Sequence, residues 1–295
     1  MAAMEAAGGA PAQRGFWSWS LLRLVVLFVA TLVLYGGGQV LTFMAADKLT
    51  QYPKWQIILA GTFITVIVMI VAYRALIRWT EKRAATELGS GNALTLTANG
   101  ILVGLVLFCA VYAVLWVAGT VKFTGLNPVM SVVPVLAISI SSAVGEEIIF
   151  RGVVYRILEN SFGTIVALLI SGAIFGLLHA FNPGATVFSS LAIALEAGIL
   201  LGAAYTLTRS LWFPIGLHFG WNFSEGGIFG AAVSGGQFKG LIDAPIAGPD
   251  LLTGGKFGPE ASATALVICL AAALFVLFAC ASRNLATKLS FRMRG

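Results

Sequence analysis

The chain has 295 residues, of which 59% are hydrophobic and only 10% charged. A water-soluble domain of that length needs far more charge to cover its surface, so that class is excluded. The net charge of +6 does not indicate nucleic acid, because no basic stripe with interleaved aromatics occurs and Lys and Arg collect at the ends of apolar runs.

Taken in order, the first sixteen residues, "MAAMEAAGGAPAQRGF", are small and flexible, and disorder is expected there. The next apolar stretch is too long for a signal-peptide core and has no obvious cleavage site, so it reads as a retained first span. Further apolar runs give spans at 20–46, 55–77, 97–120, 129–157, 162–181, 186–208, 211–231 and 261–282. Each is near the ~20 residues that cross a ~30 Å hydrocarbon core as a helix, the form that satisfies backbone groups without water. The expected fold is all-α: a polytopic bundle of about eight transmembrane helices, with residues 17–295 as one transmembrane domain.

Eleven Lys and Arg residues fall on one set of span ends and five on the other. The positive-inside rule then puts both termini in the cytoplasm, in a multi-pass protein of the cell (inner) membrane. Trp17, Trp19, Trp55, Trp79 and Trp212 sit near span ends, where amphipathic rings settle. "RWTEKRAATELGSGN" is the main cytoplasmic loop. The Gly- and Pro-rich segment 232–260 reads as a long non-cytoplasmic loop packed over the bundle. Cys109, Cys269 and Cys280 lie in apolar segments without CxxC spacing and read as packing residues.

Ionisable groups inside spans cost roughly 2.5–3.5 kcal/mol on insertion scales and are therefore functional candidates. Glu146, Glu147, Arg151, His179 and His218 stand well inside apolar runs; Glu196 and Glu225 are borderline and read as interface or cavity-lining residues. In "GEEIIFRG", Glu147 and Arg151 are four apart and can pair on one helix face. Glu146 is turned about 100° from Glu147 and faces elsewhere. "FGLLHAF" places Phe175 four before His179, and "GLHFGWNF" places His218 four before Asn222. One glutamate, two histidines and an asparagine make a hydrolytic kit: a general base, a partner that shares or orients it, and donors for an oxyanion. No HExxH occurs, which removes the common zinc-protease helix.

"EEIIFR" (146–151), "FGLLH" (175–179) and "HFGWN" (218–222) resemble, in order, the EExxxR, FxxxH and HxxxN motifs of the CPBP intramembrane proteases. That family includes type II CAAX prenyl endopeptidases and bacterial Abi or bacteriocin-processing proteins. The resemblance covers about 130–225, the expected protease core. It implies that Glu146 activates water with His179, that His218 and Asn222 stabilise the oxyanion, and that Glu147, Arg151 and Phe175 support the site. It implies a membrane-associated protein or peptide substrate, prenylated CAAX proteins being one class, and fixes no oligomeric state. The family is called metalloprotease, yet a metal-independent, glutamate-dependent mechanism has been proposed for it. Glu146, His179 and His218 could hold zinc with an open position, whereas Asn222 suits hydrogen bonding better. Competing readings are a proton-coupled transporter, against which the missing repeat speaks, and a non-catalytic immunity or scaffold protein.

Straight spans leave one tension. They put His179 near the outer end of its helix and His218 near the inner end of its own. A deep-starting span, a half-helix after Pro183 or Pro214, or a shifted boundary would each resolve it.

Overall fold

A computed structural model describes residues 19–289. The segment 1–16, Trp17 and the basic residues Arg292 and Arg294 lie outside the described residues.

Eight principal helices follow in chain order: α1 (Ser20–Lys48), α2 (Lys54–Glu81), α3 (Ala93–Val117), α4 (Val129–Phe162), α5 (Thr164–His179), α6 (Val187–Thr208), α7 (Trp212–Asn222) and α8 (Ala263–Ser282). Six of them are long and apolar enough to cross a membrane; α5 and α7 are shorter. The boundaries follow local chemistry. Pro53 precedes α2, Gly163 at φ +88 separates α4 from α5, and a Thr186/Ser189 capping box opens α6. Ser262 caps α8 by accepting from the Ala265 N–H at 3.0 Å.

Burial sorts these helices into inner and outer. The most apolar windows of α4 and α6 are 56% buried, whereas that of α1 is 11% and that of α2 17% buried. Val33, Leu41, Ile64 and Val71 on the outer helices face outward, as lipid-facing side chains must. The middle of α4 is the hub of the larger core, where Ile148, Ile149, Val153 and Tyr155 are fully packed.

Small residues bring the inner helices close. A Cβ added at Gly100 of α3 would lie 2.7 Å from the Leu217 nitrogen of α7, and one at Gly104 would lie 2.7 Å from the Trp221 nitrogen. In return, Gly216 and Gly220 of α7 pack on Thr97 and Ile101 of α3, with added Cβ atoms 3.0 and 2.9 Å from their Cα atoms. This reciprocal Gly-xxx-Gly contact replaces side chains by backbone-to-backbone packing. Gly198 of α6 approaches Gly172 of α5 in the same way, at 2.6 Å from added Cβ to Cα.

The connection after α3 carries a two-residue strand, β1 (Gly125–Leu126), paired antiparallel with β2 (Ile242–Asp243). That pairing ties the long 232–260 segment across the bundle. Opposite it, the segment after α2 is a folded element rather than a free loop. Glu87 and Leu88 are buried, and Arg83 pairs with Glu81 and Glu87 at 2.8 Å each. Arg156 of α4 reaches Glu81 at 2.7 Å, while Tyr73 bonds both Glu87 and, at 2.9 Å, the Gly152 carbonyl.

Candidate active site

Glu146, His179, His218 and Asn222 come from three helices, α4, α5 and α7, and line one internal cavity of about 310 Å³. Phe175 lines it too. The sequence-based separation of the two adjacent glutamates holds. Glu147 is fully buried and meets Arg151 at 3.0 Å, while the Glu146 side chain keeps 20% exposure toward the cavity.

Arg151 is fixed from several directions. It donates to the carbonyls of Ala197 at 2.9 Å and Gly198 at 3.3 Å on α6. Its guanidinium also lies 4.9 Å from the centre of the Phe175 ring, a cation–π distance. Glu147 has a second partner that spacing did not foresee, since its Oε1 lies 3.0 Å from His218 Nδ1. Glu147, Arg151 and His218 therefore form one buried chain, and Glu146 stands beside it.

Both imidazoles are oriented by their Nδ1 atoms. His179 Nδ1 lies 2.8 Å from the Phe175 carbonyl. A carbonyl only accepts, so that nitrogen carries the proton. The arginine-paired Glu147 carboxylate imposes the same tautomer on His218. In the neutral ring each Nε2 is left as an acceptor. His218 Nε2 is 4.0 Å from Glu146 Oε2, and that oxygen is buried without a hydrogen-bond partner among the described residues. Asn222 donates to Ser142 Oγ at 3.1 Å, which orients its amide.

The tension over depth is resolved by a deep-starting α7. His179 is the last of sixteen residues of α5, roughly 22 Å from Thr164 at 1.5 Å per residue. His218 is only roughly 9 Å from Trp212 by the same rise. Leu211, just before α7, is completely buried, and its N–H donates to the Glu87 carbonyl at 2.8 Å. The Trp212 indole donates to the Gly89 carbonyl at 2.9 Å. The folded segment after α2 thus sits beneath α7 and starts it inside the protein, which lifts His218 toward the level of His179.

Three π-helical stretches adjoin the cavity: Ile148–Tyr155, Ala194–Gly198 and Phe223–Ile228. One follows Glu147, one contains Glu196 and one follows Asn222. Such stretches re-aim side chains and shift carbonyls off the α-helical ladder, and they gather at functional sites. Periodicity did not reveal them.

Sequence reasoning also missed Ser142, Tyr35, Gln39 and Glu260, all of which line the cavity. Ser142 is one turn before Glu146 and shares its face, so spacing could have found it. Glu260 could not be placed, because it lies in the long segment whose Val233, Ser234, Gly236 and Phe238 also line the cavity. Glu196 is a lining residue, whereas Glu225 is buried behind the wall.

The acceptor orientation of both Nε2 atoms is the kind that metal-ligating histidines adopt. The spacing does not complete such a set. Among the described residues no three His, Cys, Asp or Glu side chains are grouped to hold an ion. Glu146, His179 and His218 share a cavity without closing on one point, so no step below runs through a metal.

A polytopic helical bundle with a carboxylate, two oriented imidazoles and an amide around one cavity agrees with the similarities that support a membrane-embedded protein of the intramembrane protease class. Residues 128–224 match the family described as type II CAAX prenyl endopeptidase, Rce1-like. This segment, about a third of the chain, holds all three motifs, and the match supports the likeness to the CPBP family. The chain is also 24% identical over 228 residues to "Putative membrane peptidase YdiL" of Bacillus subtilis (strain 168), covering 70% of this chain and 85% of that protein. No solved structure matches it.

Proposed function

We propose that this protein is an endopeptidase that hydrolyses a peptide bond of a membrane-associated protein inside the bundle, prenylated CAAX-type proteins being one substrate class. The observation that carries the reading is the partnerless Glu146 Oε2 facing His218 Nε2 at 4.0 Å in a cavity shared with His179 and Asn222.

In the proposed reaction a water from the cavity gives a proton to the Glu146 carboxylate as its oxygen attacks the carbonyl carbon. His179, whose Nε2 is an acceptor, helps to orient that water. The Asn222 amide donates to the oxyanion of the tetrahedral intermediate. His218 joins it by donating from Nε2 when both ring nitrogens carry protons, with Nδ1 held by Glu147. When the C–N bond breaks, the leaving nitrogen takes the proton held by Glu146, and the carboxylate is restored. Glu147 and Arg151 position His218 and do not touch the reacting atoms.

The same reading sets the protein in the cell membrane with both termini in the cytoplasm, on the positive-inside distribution. A scaffold without activity would have no use for two imidazoles held in one tautomer beside an unpaired carboxylate.

An isotope experiment tests hydrolysis. Membranes carrying the wild type or Glu146→Gln are incubated in ¹⁸O-water. New peptide carboxyl termini that acquire ¹⁸O only with the wild type are expected; equal labelling in both defeats the proposal.

A further inference from the structure

A second set of carboxylates, which the hydrolytic steps do not use, borders the cavity, with Glu260 within electrostatic reach of His179. Glu196 comes from the π-helical stretch of α6, Glu225 from the π turn after α7, and Glu260 from the segment before α8. All three are buried, at 2%, 0% and 4% exposure. Glu225 Oε1 accepts the Glu260 N–H at 3.1 Å, and Glu260 Oε1 accepts from the Ser234 N–H at 2.6 Å and hydroxyl at 2.8 Å. The three are within electrostatic reach of one another.

Two facts make this more than an acidic cluster. Glu196 lines the cavity, and its Oε2, like Glu225 Oε2, is buried without a hydrogen-bond partner among the described residues. No Lys or Arg lines the cavity among those residues either, since Arg151 is withdrawn behind Glu147. Unpaired carboxyl groups are costly to bury and call for a donor or a cation. The donors within the wall serve Glu260 and Glu225, and among the described residues none bonds Glu196 Oε2.

We propose that Glu196, backed by Glu260 and Glu225, forms a specificity subsite that takes a basic side chain, lysine or arginine, of the substrate. This rests on the peptidase reading and adds a substrate preference to it: a segment apolar enough to enter the bundle, with one cationic residue near the scissile bond. The ammonium or guanidinium would supply the donor that the cavity-lining Glu196 lacks, with Glu225 adding its charge from behind the wall. The acidic wall also disfavours segments carrying Asp or Glu there.

The test needs no turnover. Full-length Glu146→Gln protein in nanodiscs is titrated, by fluorescence anisotropy, with two labelled apolar peptides of 20 residues that differ only in a central lysine or norleucine. The lysine peptide is expected to bind about tenfold tighter. Adding Glu196→Gln should erase that preference, and adding Glu260→Gln should weaken it. Glu196→Gln is nearly isosteric and removes a buried unpaired carboxylate, so it should unfold at no lower temperature than its parent. Equal binding of the two peptides, including no binding by either, overturns the subsite. So does a lysine preference that survives Glu196→Gln. Failure of the peptidase reading would show separately, as ¹⁸O termini that do not depend on Glu146.

Discussion

The two adjacent glutamates have opposite surroundings, and two substitutions separate their roles. Glu146→Gln removes a charge without removing volume, so peptide cleavage should vanish while the thermal unfolding midpoint stays within a few degrees. Arg151→Leu strands Glu147 in a fully packed site, with an expected cost of about 3–5 kcal/mol, read as a collapse in folded yield and unfolding temperature. If both variants lost folding equally, the distinction between working and structural carboxylates would fall. The pairing of Glu147 with Arg151 was legible from their spacing of four. The His218 bond to Glu147 was not, because the two residues are 71 apart in the chain and only tertiary packing joins them.

At the scale of elements, α7 is too short to anchor itself by span length and depends on α3. Gly220→Val should push the helices apart and shift His218 and Asn222, with a loss of roughly 2 kcal/mol or more and most of the activity. Gly36→Val on α1 is the control, since a Cβ there meets nothing within 4 Å. Comparable unfolding temperatures for the two variants would contradict the account of α3–α7 packing. The eight apolar runs were readable from composition, and the helices follow them with shifted ends. The depth of α7 was hidden because it is set by the short turn Thr86–Leu88, whose Glu87 and Leu88 are buried although the sequence reads as polar loop. The three π stretches were hidden because each changes the winding of a helix without changing its apolar pattern.

The whole molecule is held together on one side by an ionic network and carries its cavity within the bundle. Glu87, outside the spans, illustrates how that network is expected to respond to acid. Burial alone would raise its pKa, but the Arg83 bonds, the Arg156 charge and the Tyr73 hydroxyl together bring it below the ordinary value. A depressed folded-state pKa contributes stability above the unfolded value of about 4.3, and that contribution is lost as pH falls through the folded-state value. Unfolding temperature should therefore drop below about pH 4.3 in the wild type, and the drop should be shallower in Glu87→Gln. An unchanged slope would remove Glu87 from the acid response. The segment was legible only as the main cytoplasmic loop, and its carboxylate partner Glu81 in α2 and its reach to Arg156 belong to the fold.

The central claim is that Glu146 makes this bundle a peptidase. Its most direct test is a mass-spectrometric comparison of new peptide termini in membranes carrying wild type or Glu146→Gln, matched for folded protein. The account predicts a set of termini present only with the wild type, drawn from membrane-associated proteins. Identical termini in the two samples, with the variant folded, would contradict it.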